Sequence, residues 1–202
     1  MKVILIHGIH SKEGDNNMSA LLPHIKEAMP TADIELFEYG FMGFWKARWA
    51  NDNVAKSLAG LIDSYKRDGQ EVAVVTHSNG AAITYLATTK YNARPTMVVN
   101  VNPALDRWRT HNCPWVETIH SEQDRAVDIS QWLPFHLWGD QGKVGYKGKL
   151  KNTINHNATK FGNGMAYQGH CGLFGSPRIK KWAYFIAARI ESYVKAYHSP
   201  LD

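Results

Sequence analysis

The sequence predicts an α/β fold: a mostly parallel central sheet of about six strands, flanked by helices on both faces. Three observations predict it. Short apolar runs rich in β-branched residues alternate with stretches of helical periodicity, the pattern of parallel strands joined by right-handed crossovers. Some runs, residues 3–6 and 72–75 among them, are apolar throughout, as in strands covered on both faces. Polar residues cluster directly after several runs, where such sheets gather their reactive groups.

Taken in order, residues 3–6 (Val-Ile-Leu-Ile) read as a buried strand followed by His7-Gly8-Ile9-His10. After a polar loop over 11–17, residues 18–29 carry apolar positions at helical spacing, and Pro23 inside them predicts a later start or a kink. Residues 33–39 alternate polar and apolar, which suits an edge strand with one wet face. Phe41, Phe44, Trp45 and Trp49 are expected to pack in the core under the next helix, with a cleft lining as the alternative. That helix, 53–65, places Val54, Leu58, Leu61 and Ile62 on one face and stops at Asp68-Gly69. A strand at 72–75 leads into a helix at 81–87, and strands follow at Met97–Val101 and Trp115–His120. Aromatics interleaved with glycines over 129–151 read as an irregular flap. A last strand is expected at 152–156, and a closing helix at 179–197 with Trp182, Phe185, Ile186, Ile190 and Tyr193 on its inner face.

At 202 residues the chain suffices for one packed domain, 1–202. Its 44% hydrophobic and 20% charged residues are globular proportions and exclude disorder. No apolar run approaches the length of a membrane span. His7-Gly8 ends the first run too early for a signal-peptide core, so a cytoplasmic protein is expected, with Cys113 and Cys171 as free thiols. The net charge of +5 permits anionic partners, and basic residues cluster at 107–109, 147–151 and 178–181. Without a zinc-ligand spacing, a phosphate-binding loop or an aromatic-and-basic module, neither a nucleic-acid partner nor a metal is expected.

The chemistry concentrates at 76–80, Thr-His-Ser-Asn-Gly, where a strand turns sharply into a helix. A serine on such a turn has its hydroxyl lifted over the sheet edge beside a helix N-terminus. The alternative is an ordinary polar turn in which Ser78 or Asn79 caps the helix. On these residues the chain resembles the α/β-hydrolase superfamily, whose elbow reads Gly-x-Ser-x-Gly; here Thr76 replaces the first glycine while Ser78 and Gly80 fit. The resemblance implies a minimal α/β-hydrolase fold with the triad order Ser78, Asp124, His170. Asp124 follows the strand ending at His120, with Asp128 and Glu122 as rivals. His170 lies in Gly-His just before the closing helix. It further implies an oxyanion hole from the amides of Ile9 and Asn79, with His7 bracing that loop. Cys171 is a rival nucleophile only by adjacency to a histidine.

The function so implied is a cofactor-free serine esterase acting on a small or lipid-like carboxylic ester, a thioester being next. Two other readings stay open: a catalytically inactive binding module that keeps the elbow for structure, and a basic protein that binds nucleic acid.

Overall fold

The computed structural model describes residues 1–9, 14–130 and 138–198, with backbone alone at 44, 48 and 128–130. Among these, six strands form one all-parallel sheet in the order β2-β1-β3-β4-β5-β6. They are β1 (Lys2–Ile6), β2 (Asp33–Phe37), β3 (Val72–His77), β4 (Met97–Val101), β5 (Trp115–His120) and β6 (Thr153–Asn157). The helices are α1 (Asn17–Ala28), α2 (Phe44–Arg67), α3 (Asn79–Thr89), α4 (Arg125–Ser130), α5 (Gln141–Val144) and α6 (Arg178–His198). None of them is long and apolar enough to cross a membrane.

Alternation along the strands divides the core into two layers. Val3, Leu5, Val75 and Val99 face α1 and α6, meeting Leu21, Ile25, Trp182 and Ile186. Ile4, Ile6, Val74 and Val98 face the other way, against Leu58 and Ile62 of α2 and Ile83 and Ala87 of α3. A one-residue slip of any central strand would exchange the layers, so burial on both faces fixes the register. That register pairs Ile6 with Thr76, His77 with Val101 and Val101 with Ile119. The loops after β1, β3, β4 and β5 therefore leave the sheet along one edge.

Two expectations are corrected. The first concerns α1, which starts at Asn17 and runs continuously through Pro23. Asn16 fixes the start: its side chain accepts from the amides of Met18 (2.9 Å) and Ser19 (3.0 Å), which outweighs one missing proline N–H. The second concerns α2, which begins at Phe44, and the aromatics Phe41, Trp45 and Trp49 before and within it, which are not core. Phe41, Trp45 and Trp49 are 58%, 71% and 70% exposed. The helix turns a small-residue face inward instead, Ala47, Asn51 and Ala55 leading to Leu58 and Ile62, and this lets it lie close to α3. The flap expected over 129–151 falls partly on 131–137, outside the described residues. In the described remainder a Cβ on Gly139 would lie 2.4 Å from Asp106 Cα, and one on Gly142 would lie 2.8 Å from Asp124 Oδ2. Residues 139–146 are packed against the body of the fold, while Lys147 and residues 149–151 are exposed.

Polar groups inside the sheet are paired. Thr76 Oγ1 donates to Asn100 Oδ1 (2.9 Å), which also accepts from His111 Nε2 (2.9 Å), and Asn100 Nδ2 reaches Thr118 Oγ1 (3.4 Å). A glycine at 76 would leave Asn100 short of a partner, which accounts for the threonine. On the α6 side, the buried Glu117 of β5 accepts from Trp115 Nε1 (2.8 Å), from Arg189 Nη2 (2.6 Å) and Nε (3.0 Å), and from His156 Nε2.

Burial depresses the pKa of four histidines, His7, His77, His111 and His120, with His111 pushed down to about 3. A histidine kept neutral in the folded state gains its proton only on unfolding, so stability is lost as pH falls below about 6.5. Each such group contributes up to about 1.4 kcal/mol per pH unit. Urea unfolding is therefore expected to show a clearly lower midpoint at pH 5.5 than at pH 7.5. Equal midpoints would mean that these rings are protonated within the fold.

Candidate active site

β3 ends at His77 and α3 begins at Asn79, so Ser78 must reverse the chain alone, and it does so at φ 55°, ψ −122°. This left-handed conformation is strained for a residue with a Cβ and persists only where its surroundings enforce it. Backbone bonds enforce it here: Ser78 N donates to Val101 O (3.2 Å), while Ser78 O accepts from Ala81 N (3.1 Å) and Ala104 N (3.0 Å). The space beside the turn is closed by main chain at Gly80 and by the Ser78 side chain at Gly8. A Cβ on Gly80 would lie 2.8 Å from Ile6 O and 2.9 Å from His7 O, and one on Gly8 would lie 2.8 Å from Ser78 Cβ. Ser78 occupies the N-cap position of α3 without making a side-chain cap bond, so its hydroxyl is not consumed by the helix.

The loop after β1 is held by Tyr39. Its hydroxyl lies 2.8 Å from His7 O and 2.9 Å from Gly8 O, and its ring stacks on His7 with centroids 4.1 Å apart. His7 Nδ1 also donates to Gly8 O (2.7 Å), which gives the ring its bracing contact. On the other side of the elbow, Asn79 makes a reciprocal amide pair with Asn51 of α2 (2.8 and 3.0 Å) and accepts from Trp138 Nε1 (2.8 Å).

After β5, Asp124 is fully buried, and its Oδ2 lies 2.8 Å from His170 Nδ1. The same oxygen accepts from Asn102 Nδ2 (3.2 Å), and Oδ1 accepts from Val127 N (3.4 Å). Asn102 also donates to Gly169 O (3.0 Å) and accepts from the Tyr167 hydroxyl, so one buried amide joins the carboxylate to the loop that carries the histidine. Burial, and then the nearby charge of Asp124, holds the Tyr167 hydroxyl well above its ordinary pKa, so it stays a donor. Beneath His170 lies His77, ring centroids 4.8 Å apart, whose Nε2 donates to His170 O (3.2 Å). Burial and the neighbouring His170 keep His77 uncharged.

Ser78, His170, Ile9 and Asn79 all line one cavity of about 380 Å³, whose walls also include Ala104, Val127 and Trp138. Among the described residues no hydrogen bond joins Ser78 Oγ to His170. Such contacts are often long before substrate enters. Of the rival carboxylates, Glu122 pairs with Lys160 (2.8 Å) and Asn157 (2.7 Å), and the side chain of Asp128 lies outside the described residues. Cys171 also borders the cavity, and its Sγ takes Asn17 Nδ2 (3.3 Å). Cys113 is buried, which pushes its thiol up to about 12.

Sequence reasoning missed Asn102, Tyr167 and Asn51, whereas Trp138 belongs to the aromatic stretch read as the flap. Asn102 alone left a trace: an asparagine directly after a buried strand is suited to the positive φ of 44° it adopts.

No family model and no curated protein sequence matches the chain. Solved structures do. A serine hydrolase without lid from Xanthomonas campestris is 12% identical, with TM-score 0.55, covering 100% of this chain and 84% of that one. Est1E from Butyrivibrio proteoclasticus, solved with ferulic acid bound, is 12% identical, with TM-score 0.56 and coverage of 96% and 89%. The esterase PE8 is 14% identical, with TM-score 0.56 and coverage of 93% and 91%.

Proposed function

We propose that this chain, which has the α/β-hydrolase fold, is a serine hydrolase cleaving carboxylic esters through Ser78, His170 and Asp124. The observation that carries the reading is the conjunction at one cavity of a serine in a forced left-handed turn with a histidine whose Nδ1 is held by a buried carboxylate.

Nδ1 bonded to a carboxylate leaves Nε2 as the basic nitrogen. His170 Nε2 takes the Ser78 proton as Oγ attacks the ester carbonyl, and Asp124 stabilises the imidazolium that forms. The oxyanion of the tetrahedral intermediate receives the amides of Ile9 and Asn79, the latter at the N-terminus of α3 where the helix dipole favours negative charge. Each amide is expected to contribute roughly 3 kcal/mol to the barrier lowering. The imidazolium returns its proton to the departing alkoxide, water repeats the sequence on the acyl-enzyme, and the acid leaves. Ala104, Val127 and Trp138 provide an apolar wall for the ester's non-reacting part. Similarly folded proteins are called esterases, which agrees with this choice of substrate.

A fluorophosphonate probe is expected to label Ser78, and p-nitrophenyl esters of graded chain length to be hydrolysed. A folded wild-type protein that neither reacts with the probe nor cleaves any of the esters would instead support the binding-module reading.

Asn102→Ala removes a donor from Asp124 and from Gly169 O together. A hydrogen bond to a charged group is worth about 1.5–3 kcal/mol, so kcat/KM for the best ester is expected to fall by about 10- to 100-fold, mostly in kcat. An unchanged kcat would show that Asp124 needs no support beyond His170 and Val127.

A further inference from the structure

Residues 166–171, which carry His170, lie outside every helix and strand, between β6 and the single turn at Gly172–Phe174. A base on such a segment must still be held to a fraction of an ångström, because small misplacements of a reacting group are costly. We propose that His77 is a positioning residue that keys this loop to the strand bearing Ser78, so that base and nucleophile are held as one unit. The proposal rests on the reading of His170 as the base.

Strand parity places the ring. Ala73 and Val75 of β3 face the layer of α1 and α6, while Val72 and Val74 face the opposite layer. His77, the last residue of β3, continues the odd series towards the α6 side. The segment leading into α6 passes there. His77 Nε2 lies 3.2 Å from His170 O, the two rings are 4.8 Å apart, and Phe174 meets His77 edge-on at 4.9 Å. A carbonyl oxygen only accepts, so Nε2 carries the proton. The ring is 4% exposed, and burial together with the neighbouring His170 keeps it uncharged.

The preceding carbonyl is held as well: Gly169, at φ 78°, accepts at its O from Asn102 Nδ2 (3.0 Å). Two consecutive carbonyls of the base's loop are therefore fixed by side chains from the ends of the adjacent strands β3 and β4. The two holds serve different partners. Asn102 also donates to Asp124 Oδ2 (3.2 Å), so its hold ties the loop to the carboxylate. His77 is the residue before Ser78, so its hold ties the loop to the nucleophile. That strand end is itself anchored, with His77 in register with Val101 and Ser78 N donating to Val101 O (3.2 Å). A displacement of the end of β3 thus carries the hydroxyl and the imidazole together.

The test compares wild type with His77→Phe and His77→Gln, each checked by a thermal melt, with His77→Leu standing in should the larger ring of phenylalanine prevent folding. Phenylalanine keeps a ring against Phe174 but has no donor; glutamine keeps a donor without the ring. For the best p-nitrophenyl ester, kcat of His77→Phe is expected to fall by about 3- to 10-fold, the range for one neutral hydrogen bond, with KM unchanged. His77→Gln is expected to recover most of that loss. Backbone hydrogen exchange over 166–171 is expected to quicken by a similar factor in His77→Phe and to stay near the wild-type rate in His77→Gln. A kcat within twofold of wild type in His77→Phe overturns the proposal. So does an equal loss in both variants, which would assign the effect to ring packing, and so does a loss carried by KM, which would put His77 against substrate. Exchange needs no turnover: a wild type without esterase activity would sink the reading of His170 as base, while exchange unchanged in His77→Phe would sink the clamp.

Discussion

Ser78→Ala is expected to lower kcat for p-nitrophenyl ester hydrolysis by about 10⁴-fold or more, because the proposed acyl-enzyme forms on its hydroxyl. KM is expected to change little, since the apolar wall of Ala104, Val127 and Trp138 is untouched. The fold is expected to survive: the left-handed turn is held by backbone bonds to Val101, Ala81 and Ala104, which alanine keeps. The measurement is single-turnover and steady-state kinetics beside a thermal melt. Activity retained in the mutant, with Cys171→Ser then abolishing it, would move the nucleophile to the thiol that borders the same cavity.

Glu117→Ala is expected to destabilise the fold by about 3 kcal/mol, at the low end for breaking a buried ionic cluster, since the Arg189 side chain is 35% exposed and regains water. Alanine strands the His156 ring, the Trp115 indole N–H and the guanidinium at once. For a chain of this size that corresponds to a fall in Tm of about 6–12 °C. Glu117→Gln, which keeps an acceptor for Trp115, is expected to lose less. Burial opposes ionisation of Glu117, but His156, Trp115 and Arg189 together hold its carboxyl below the ordinary value. The cluster's contribution is therefore present above about pH 4.5 and lost as pH falls through the depressed pKa. An alanine variant melting within about 2 °C of wild type would mean that solvation of the separated charges already offsets their pairing.

The central strands were legible in residue chemistry, whereas the edge strands β2 and β6 carry polar residues and are only partly buried. Short length and β-branched content mark the apolar runs as strands rather than buried helix, and β4 and β5 occupy the residues read for them. The turn at Ser78 was legible because a buried strand at 72–75 runs within five residues into an alanine-rich helix, and the structure narrows that connection to Ser78 alone. What was not legible depends on which face of an element points inward. Trp45 and Trp49 are large and apolar, so their burial was expected, yet Ala47 and Asn51 are buried in their place because close approach to α3 rewards small side chains. Asn102 and Tyr167 were equally hidden, since a buried amide that links Asp124 to the segment before His170 has no periodicity in the sequence. Thr76 looked like a defect in the elbow pattern until its hydroxyl was seen to serve Asn100.

The clearance at Gly80 is set by the carbonyls of Ile6 and His7, atoms that no substitution can delete, and the clearance at Gly8 by Ser78 Cβ, which every residue but glycine would keep. Variation at positions 8 and 80 is thus close to forbidden, whereas the neighbouring Ala104, Ala126 and Val127 can be exchanged without disturbing the chain reversal. If Ser78 acts as proposed, natural divergence or laboratory selection for new acyl preference would accordingly accumulate in those three, leaving the address of its hydroxyl unaltered.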